Sequence, residues 1–278
     1  MNCCLTESMC SVWFSTRVPD SPSPQNAAVT FDLWQTLIFE TDGSSNSLER
    51  RKRRTEYTHR ELNRLGRKVD IEIVNQGFKE LSEEITAGHD HGFDAPYEAW
   101  VSKLIERLAP GIEQKVGTET ILLIGKMIDM TFIEAPPILL DGTLEVLNEL
   151  SSQGLKIGLI SNTGLTSPEM YKEWFQQVGI LDRFDFLAFS NEQTIAKPDS
   201  TIFETTMAGL KINAVRALHV GDNIHTDVAG AAAVGMSTVW VRGGIDSPIL
   251  TETTPNFEID SIIELPTIVN EWLYSLTS

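Results

Sequence analysis

The chain has 278 residues, 41% of them apolar and 22% charged, and a formal net charge of -17. That length suits one large domain or a domain carrying an insertion, because single cores stop growing at roughly 250 to 300 residues. The acidic field repels nucleic acid and anionic lipid, and no apolar run approaches the roughly 18 to 20 residues of a membrane span, so neither nucleic acid nor membrane is expected as a partner.

Residues 1–25 contain all three cysteines, Cys3, Cys4 and Cys10, which rules out a disulfide framework for the rest of the chain. The segment lacks a basic start followed by a continuous apolar stretch and ends in "PDSPSPQN". It is expected to be a flexible lead-in, with the cytoplasm as the default compartment. The stretch "AVTFDLWQTLIF", residues 28–39, then reads as a buried strand that runs into Asp32, with Trp34 and Thr36 just beyond. A polar turn, "TDGSSNS", leads into residues 43–135, whose apolar positions recur at helical spacing. Between Glu49 and Lys68 this region holds nine of the chain's 22 Lys and Arg against three acids, a pattern of a solvated helix face or of anion capture. His89 and His91, in "AGHDHGF", fit a loop better than a metal clip.

Pro136 and Pro137 break the helical pattern, and beyond Leu140 helices alternate with short apolar strands. The expected strands are "KIGLISN", "FDFLAFS", "ALHVGD" and "STVWVRG". The expected helices lie in "DGTLEVLNELSSQG", "SPEMYKEWFQQVGI", "STIFETTMAGLKI" and "DVAGAAAVG". Such alternation predicts an α/β fold, a doubly wound, Rossmann-like parallel sheet built from residues 26–42 and 136–278, with residues 43–135 as a smaller all-helical domain inserted after the first strand.

Ligands of open parallel sheets bind beyond the carboxyl ends of the strands. Four segments here end there in reactive groups: Asp32 after "VTF", Ser161 and Asn162 after "GLI", Lys197 after "LAFSNEQTIA", and Asp222 after "LHVG". A carboxylate beside a cation is a competent nucleophile toward phosphorus or an activated carbon. His219 lies inside an apolar strand and reads as a core histidine. His225 lies in the loop "GDNIHTD".

The ordered set "FDLWQTL", "LISNTG", "AKPD" and "HVGDNIHTD" resembles the four motifs of the haloacid dehalogenase superfamily, and the helical insertion resembles that family's cap. The resemblance implies a hydrolase with a covalent aspartyl intermediate. Asp32 would be its nucleophile, Thr36 and Ser161 would position substrate oxygens, and Lys197 would steady the nucleophile and the transferred group. It implies a magnesium ion held by Asp32, Asp222 and the backbone carbonyl of Trp34, with Asn223 and Asp227 in support, and a small anionic substrate met by Trp34, Asn162 and Arg51.

Two features pull this expectation apart. Phosphatases of the superfamily carry an acid where Trp34 stands, while its dehalogenase branch carries an aromatic there, and "RRKRRTEYTH" resembles that branch's segment, with Arg51 ahead of Glu56 and Tyr57. The dehalogenase branch, however, works without a metal, lacks an acid at the place of Asp222, and has a tyrosine where this chain has Phe203. The favoured expectation is a magnesium-dependent phosphatase of a small phosphorylated metabolite. The alternatives are a metal-independent 2-haloacid dehalogenase and a non-catalytic binding module on the same fold.

Overall fold

The computed structural model describes residues 26–40, 45–243 and 252–277. The expectations placed on residues 1–25, the cysteines included, lie outside the described residues. Strand β1 (Ala28–Phe31) is buried along its whole length because it sits inside a six-stranded parallel sheet. It is flanked by β4 (Lys156–Ser161) and β6 (Ala217–Gly221), with β5 (Phe186–Phe189) beyond β4, and β7 (Ser237–Val241) and β8 (Phe257–Ile259) beyond β6. The four strand segments expected after Leu140 each hold one of these strands. The three-residue β8 was not foreseen, being too short to display a period.

Alternation along the strands sorts their side chains onto two faces. Val29, Phe31, Ile157 and Leu159 pack with α6 (Thr143–Ser152), α7 (Pro168–Gln177) and α11 (Leu265–Ser275) through Leu147, Phe175 and Trp272. Ala28 and Ile160 face the other way, onto Ile202, Phe203 and Met207 of α9 (Ser200–Leu210). The expected helix in "DVAGAAAVG" begins earlier than its spacing suggested. Its first turn, Ile224–Ala229, is wound wide, and the α-helix proper, α10, is only Gly230–Ala233. Asn223 starts the turn by accepting the amides of His225 and Thr226 at 2.9 and 3.1 Å, and wide turns of this kind re-aim side chains at functional sites.

Between β1 and Pro136 stand five helices: α1 (Ser45–Arg64), α2 (Ile71–Asp90), α3 (Tyr97–Leu108), α4 (Glu113–Val116) and α5 (Thr118–Glu134). They share a core of their own, with Leu62, Val74, Leu81, Trp100, Leu104 and Ile124 almost fully enclosed. At their base, β2 (Ile38–Phe39) pairs antiparallel with β3 (Ile138–Leu139). None of the described helices is long and apolar enough to cross a membrane.

The helical layer also touches the sheet layer far from that base. Ala196 donates its amide to Gly92 at 2.9 Å, and the buried Asp94 carboxylate accepts from Trp100 Nε1 (2.7 Å), the Ala95 amide (2.7 Å) and Ser190 Oγ (2.5 Å), with His89 Nε2 at 3.0 Å. Asp94→Ala strands several buried donors at once and is expected to cost about 3 to 5 kcal/mol, a fall in Tm of roughly 10 °C in thermal unfolding. A shift below a few degrees would show that the junction does not depend on this carboxylate.

Candidate active site

Asp32 emerges at the centre of the sheet because β1 is paired on both sides, and its amide still donates to Val220 O at 2.8 Å. The chain then turns sharply. Gln35 has a φ of 60° and its amide donates to Ile38 O at 2.7 Å, which tucks Thr36 inward. The Thr36 hydroxyl is buried and has no partner among the described residues.

Lys197 is 1% exposed, and its ammonium lies between two carboxylates, 2.5 Å from Asp32 Oδ1 and 2.6 Å from Asp227 Oδ1. Burial at that depth is tolerable for a lysine only when it is paired in this way. Burial pulls the ammonium down, but Asp227 and Asp32 outweigh it and raise the group above its ordinary value. The two acids diverge: burial pushes Asp32 up to about 6 against the pull of Lys197. For Asp227 burial also acts upward, yet Lys197 and His219 together hold it well below the usual carboxylate range. Asp227 is fixed as a permanent anion under the lysine, and Asp32 is the carboxylate whose charge is still in play.

The backbone makes room for this. A Cβ at Gly221 would lie 2.3 Å from Asp227 Cγ, so only glycine lets Asp227 fold back over the end of β6. Asp227 Oδ2 accepts the Asn223 amide at 3.0 Å. Beneath it His219 is satisfied in the core, Nδ1 at 2.9 Å from Thr30 Oγ1 and Nε2 at 3.3 Å from Asp227 Oδ1. The core placement matches its expectation; the link to Asp227 was not visible in the sequence. Asp222 lies alongside, its carbonyl accepting from Trp240 Nε1 at 2.8 Å, and carboxylate oxygens of Asp32, Asp222 and Asp227 lie within 4.8 Å of one another.

Above this floor a cavity of about 750 Å³ opens between the sheet and the helical layer, walled by Trp34, Phe132, Tyr171, Asn162 and the arginines of α1. The structure places three of the residues singled out in the sequence in more detail. Asn162, expected to meet substrate, lines the cavity, and its amide also grips the backbone of Lys197, accepting from the Lys197 amide at 2.8 Å and donating to its carbonyl at 2.9 Å. Asn223 supports the site by starting the turn that carries Asp227. Arg51 lines the cavity but is exposed, whereas Arg50 and Arg54, which the sequence reading passed over, form the deeper wall. Arg50 pairs with Glu40 and donates to Ala135 O at 2.6 Å. Arg54 reaches Leu165 O at 2.7 Å and Thr166 Oγ1 at 3.0 Å; burial, helped by the neighbouring Arg50, pushes it down to about 10. The spacing of four along α1 was the available signal, since residues so spaced share a helix face.

A family model described as haloacid dehalogenase-like hydrolase matches residues 27–235. The glyceraldehyde 3-phosphate phosphatase of Pyrococcus abyssi is 28% identical over 78% of this chain and 81% of its own. Its namesake in Methanopyrus kandleri is 27% identical over 88% of this chain and 97% of its own. The structure of a 2-haloacid dehalogenase from Pseudomonas syringae pv. Tomato DC3000 superposes with a TM-score of 0.63 at 22% identity, covering 88% of this chain and 99% of that one, a likeness of fold.

Proposed function

We propose that this chain, which belongs to the haloacid dehalogenase-like hydrolases, is a magnesium-dependent phosphatase of a small phosphorylated metabolite. The observation that carries this is the Lys197 ammonium between Asp32 and Asp227, with Asp222 completing a set of three carboxylates. Three acids against one ammonium leave a formal charge of about -2, which repels a phosphate unless a cation joins them. The donor set suits Mg2+: it is all oxygen, and Asp32, Asp222 and the Trp34 carbonyl would hold the ion. When bound, the ion supplies positive charge against the incoming phosphate.

The chain's own groups do the rest. Asp32 attacks phosphorus in line with the leaving oxygen and becomes phosphorylated. Lys197 stays charged throughout, because Asp227 holds it even while Asp32 is esterified, and so steadies the transferred group. The hydroxyl of Thr36, partnerless among the described residues, and that of Ser161 would bind phosphate oxygens. Arg50, Arg51 and Arg54 favour an anionic substrate in the cavity.

A second reading, the metal-independent 2-haloacid dehalogenase, is favoured only by Trp34 and the exposed Arg51. The extra carboxylates weigh against it, since without a cation they disfavour an anionic haloacid. Turnover of p-nitrophenyl phosphate is expected to stop in the presence of EDTA and to return with excess Mg2+. Equal rates with and without chelator, or chelator-resistant halide release from chloroacetate, would sink the phosphatase reading.

A further inference from the structure

A carboxylate that is to hold a cation must be aimed by its backbone, since a small error at the Cα moves the oxygens off the ion. Asp222 stands where regular structure ends. Strand β6 stops at Gly221, opposite Trp240 of β7, and the wide turn that carries Asp227 does not begin until Asn223. The peptide unit joining Asp222 to Asn223 lies between the two, and each of its polar groups is met by a side chain. The Asp222 carbonyl accepts from Trp240 Nε1 at 2.8 Å, and the Asn223 amide donates to Asp227 Oδ2 at 3.0 Å.

One peptide plane is thus gripped at both ends, by an indole from β7 and by the carboxylate that is bonded to Lys197 through its other oxygen. Because the plane is rigid, holding it fixes the backbone on the far side of the Asp222 Cα, while β6 fixes the near side. The direction in which the Asp222 side chain leaves the backbone is then determined. Packing alone does not account for the indole. Val239 and Val241, its neighbours on β7, join the core, whereas Trp240 alternates to the other face and is only partly covered.

We infer that Trp240 is a positioning residue for the cation site: its N–H sets the peptide that aims the Asp222 carboxylate. The inference rests on the magnesium-dependent reading. Groups that orient a metal ligand without touching the ion typically govern roughly 10- to 100-fold in affinity. With the N–H removed, the Asp222 carbonyl takes a hydrogen bond from water, which this partly covered edge admits. The plane is then held by Asp227 alone and can rock, at little cost to the ion-free fold.

The test measures the Kd for Mg2+ from the rise of Tm with Mg2+ concentration, each protein against its own Tm in EDTA. Trp240→Phe removes the N–H and keeps an aromatic ring, and Trp240→Leu repeats the loss on an aliphatic side chain. Trp272→Phe is the control, because Trp272 Nε1 donates at 3.1 Å to Ser237 Oγ at the opposite end of β7. Expected is a Kd about 10-fold weaker in both Trp240 variants, with Trp240→Phe within a few degrees of the wild type in EDTA. Phosphatase activity lost at low Mg2+ is expected to return at saturating Mg2+. Trp272→Phe is expected to melt lower in EDTA yet keep the wild-type Kd. An unchanged Kd in the Trp240 variants, an equal weakening in Trp272→Phe, or failure of both Trp240 variants to fold in EDTA overturns the assignment and leaves the magnesium-dependent reading standing. A wild type whose Tm ignores Mg2+ overturns that reading and the assignment with it.

Discussion

Asp32→Asn is expected to abolish phosphate release, by roughly 10⁴-fold or more, while leaving the protein at least as stable as the wild type at pH 7. The first half follows from the proposed nucleophile: an amide oxygen is a poor one, and Asp227 cannot stand in. Asp227 is held as an anion under Lys197, with its second oxygen bonded to the Asn223 amide. The second half follows from proton linkage. Burial raises Asp32 from 3.8 to about 6 in the folded chain. A carboxyl whose pKa rises on folding contributes stability that is complete below its unfolded value and is lost as pH climbs through its folded value. At pH 7 its ionised form therefore costs at most about 3 kcal/mol, the pull of Lys197 included. Asparagine removes that cost, so Tm is expected to hold or rise at pH 7 and the difference to fade near pH 4. A variant that keeps a tenth of the wild-type rate, or melts well below it, would show that Asp32 is not the nucleophile held at a cost in stability.

The parts that were legible in the sequence are those written in contiguous residues. A four-residue apolar run ending in Asp32, a lysine before a proline, and "GDNIHTD" each carry their position on the sheet edge with them, because a parallel strand delivers its next residue to the carboxyl edge. The parts that were not legible depend on pairs far apart in the chain. The strand end places Asn162 at the cavity but does not show its second role. Only the fold brings it to the backbone of a residue 35 positions later. Arg51 drew notice through a neighbouring Glu-Tyr, whereas the direction in which α1 turns its faces decides that Arg50 and Arg54 lie deepest. The indole of Trp34 stands where an acid would, and only the fold puts it in one cavity with Tyr171 of α7. The three residues of β8 were hidden for another reason: a strand that short has no period, and its place comes from the ladder with β7.

Lys197→Met tests the electrostatic account most severely, because the same substitution should damage activity, stability and the pH dependence of stability, each by a separate physical route. Activity is expected to fall about 10³-fold, the scale on which a positioned charge beside a developing anion is felt. Stability is expected to fall by about 3 to 5 kcal/mol at pH 7, the cost of removing one partner from a buried ion network, or roughly 10 °C in Tm. The methionine fills much the same space, so the loss comes from Asp32 and Asp227 facing each other without the ammonium that lay 2.5 and 2.6 Å away. Both acids then have raised folded-state pKa values, and their neutral forms become the stable ones. By the linkage sign for raised carboxyls, the deficit should be greatest at neutral pH and shrink as pH falls toward 4. Mg2+ should recover part of it, because an ion held by Asp32 and Asp222 beside Asp227 stabilises by about 2.7 kcal/mol at a hundredfold excess over its Kd. A Tm deficit that stays constant from pH 4 to 8 and ignores Mg2+ would mean that Lys197 holds the fold by packing, and the charge-balanced site proposed for Asp32 would have to be abandoned.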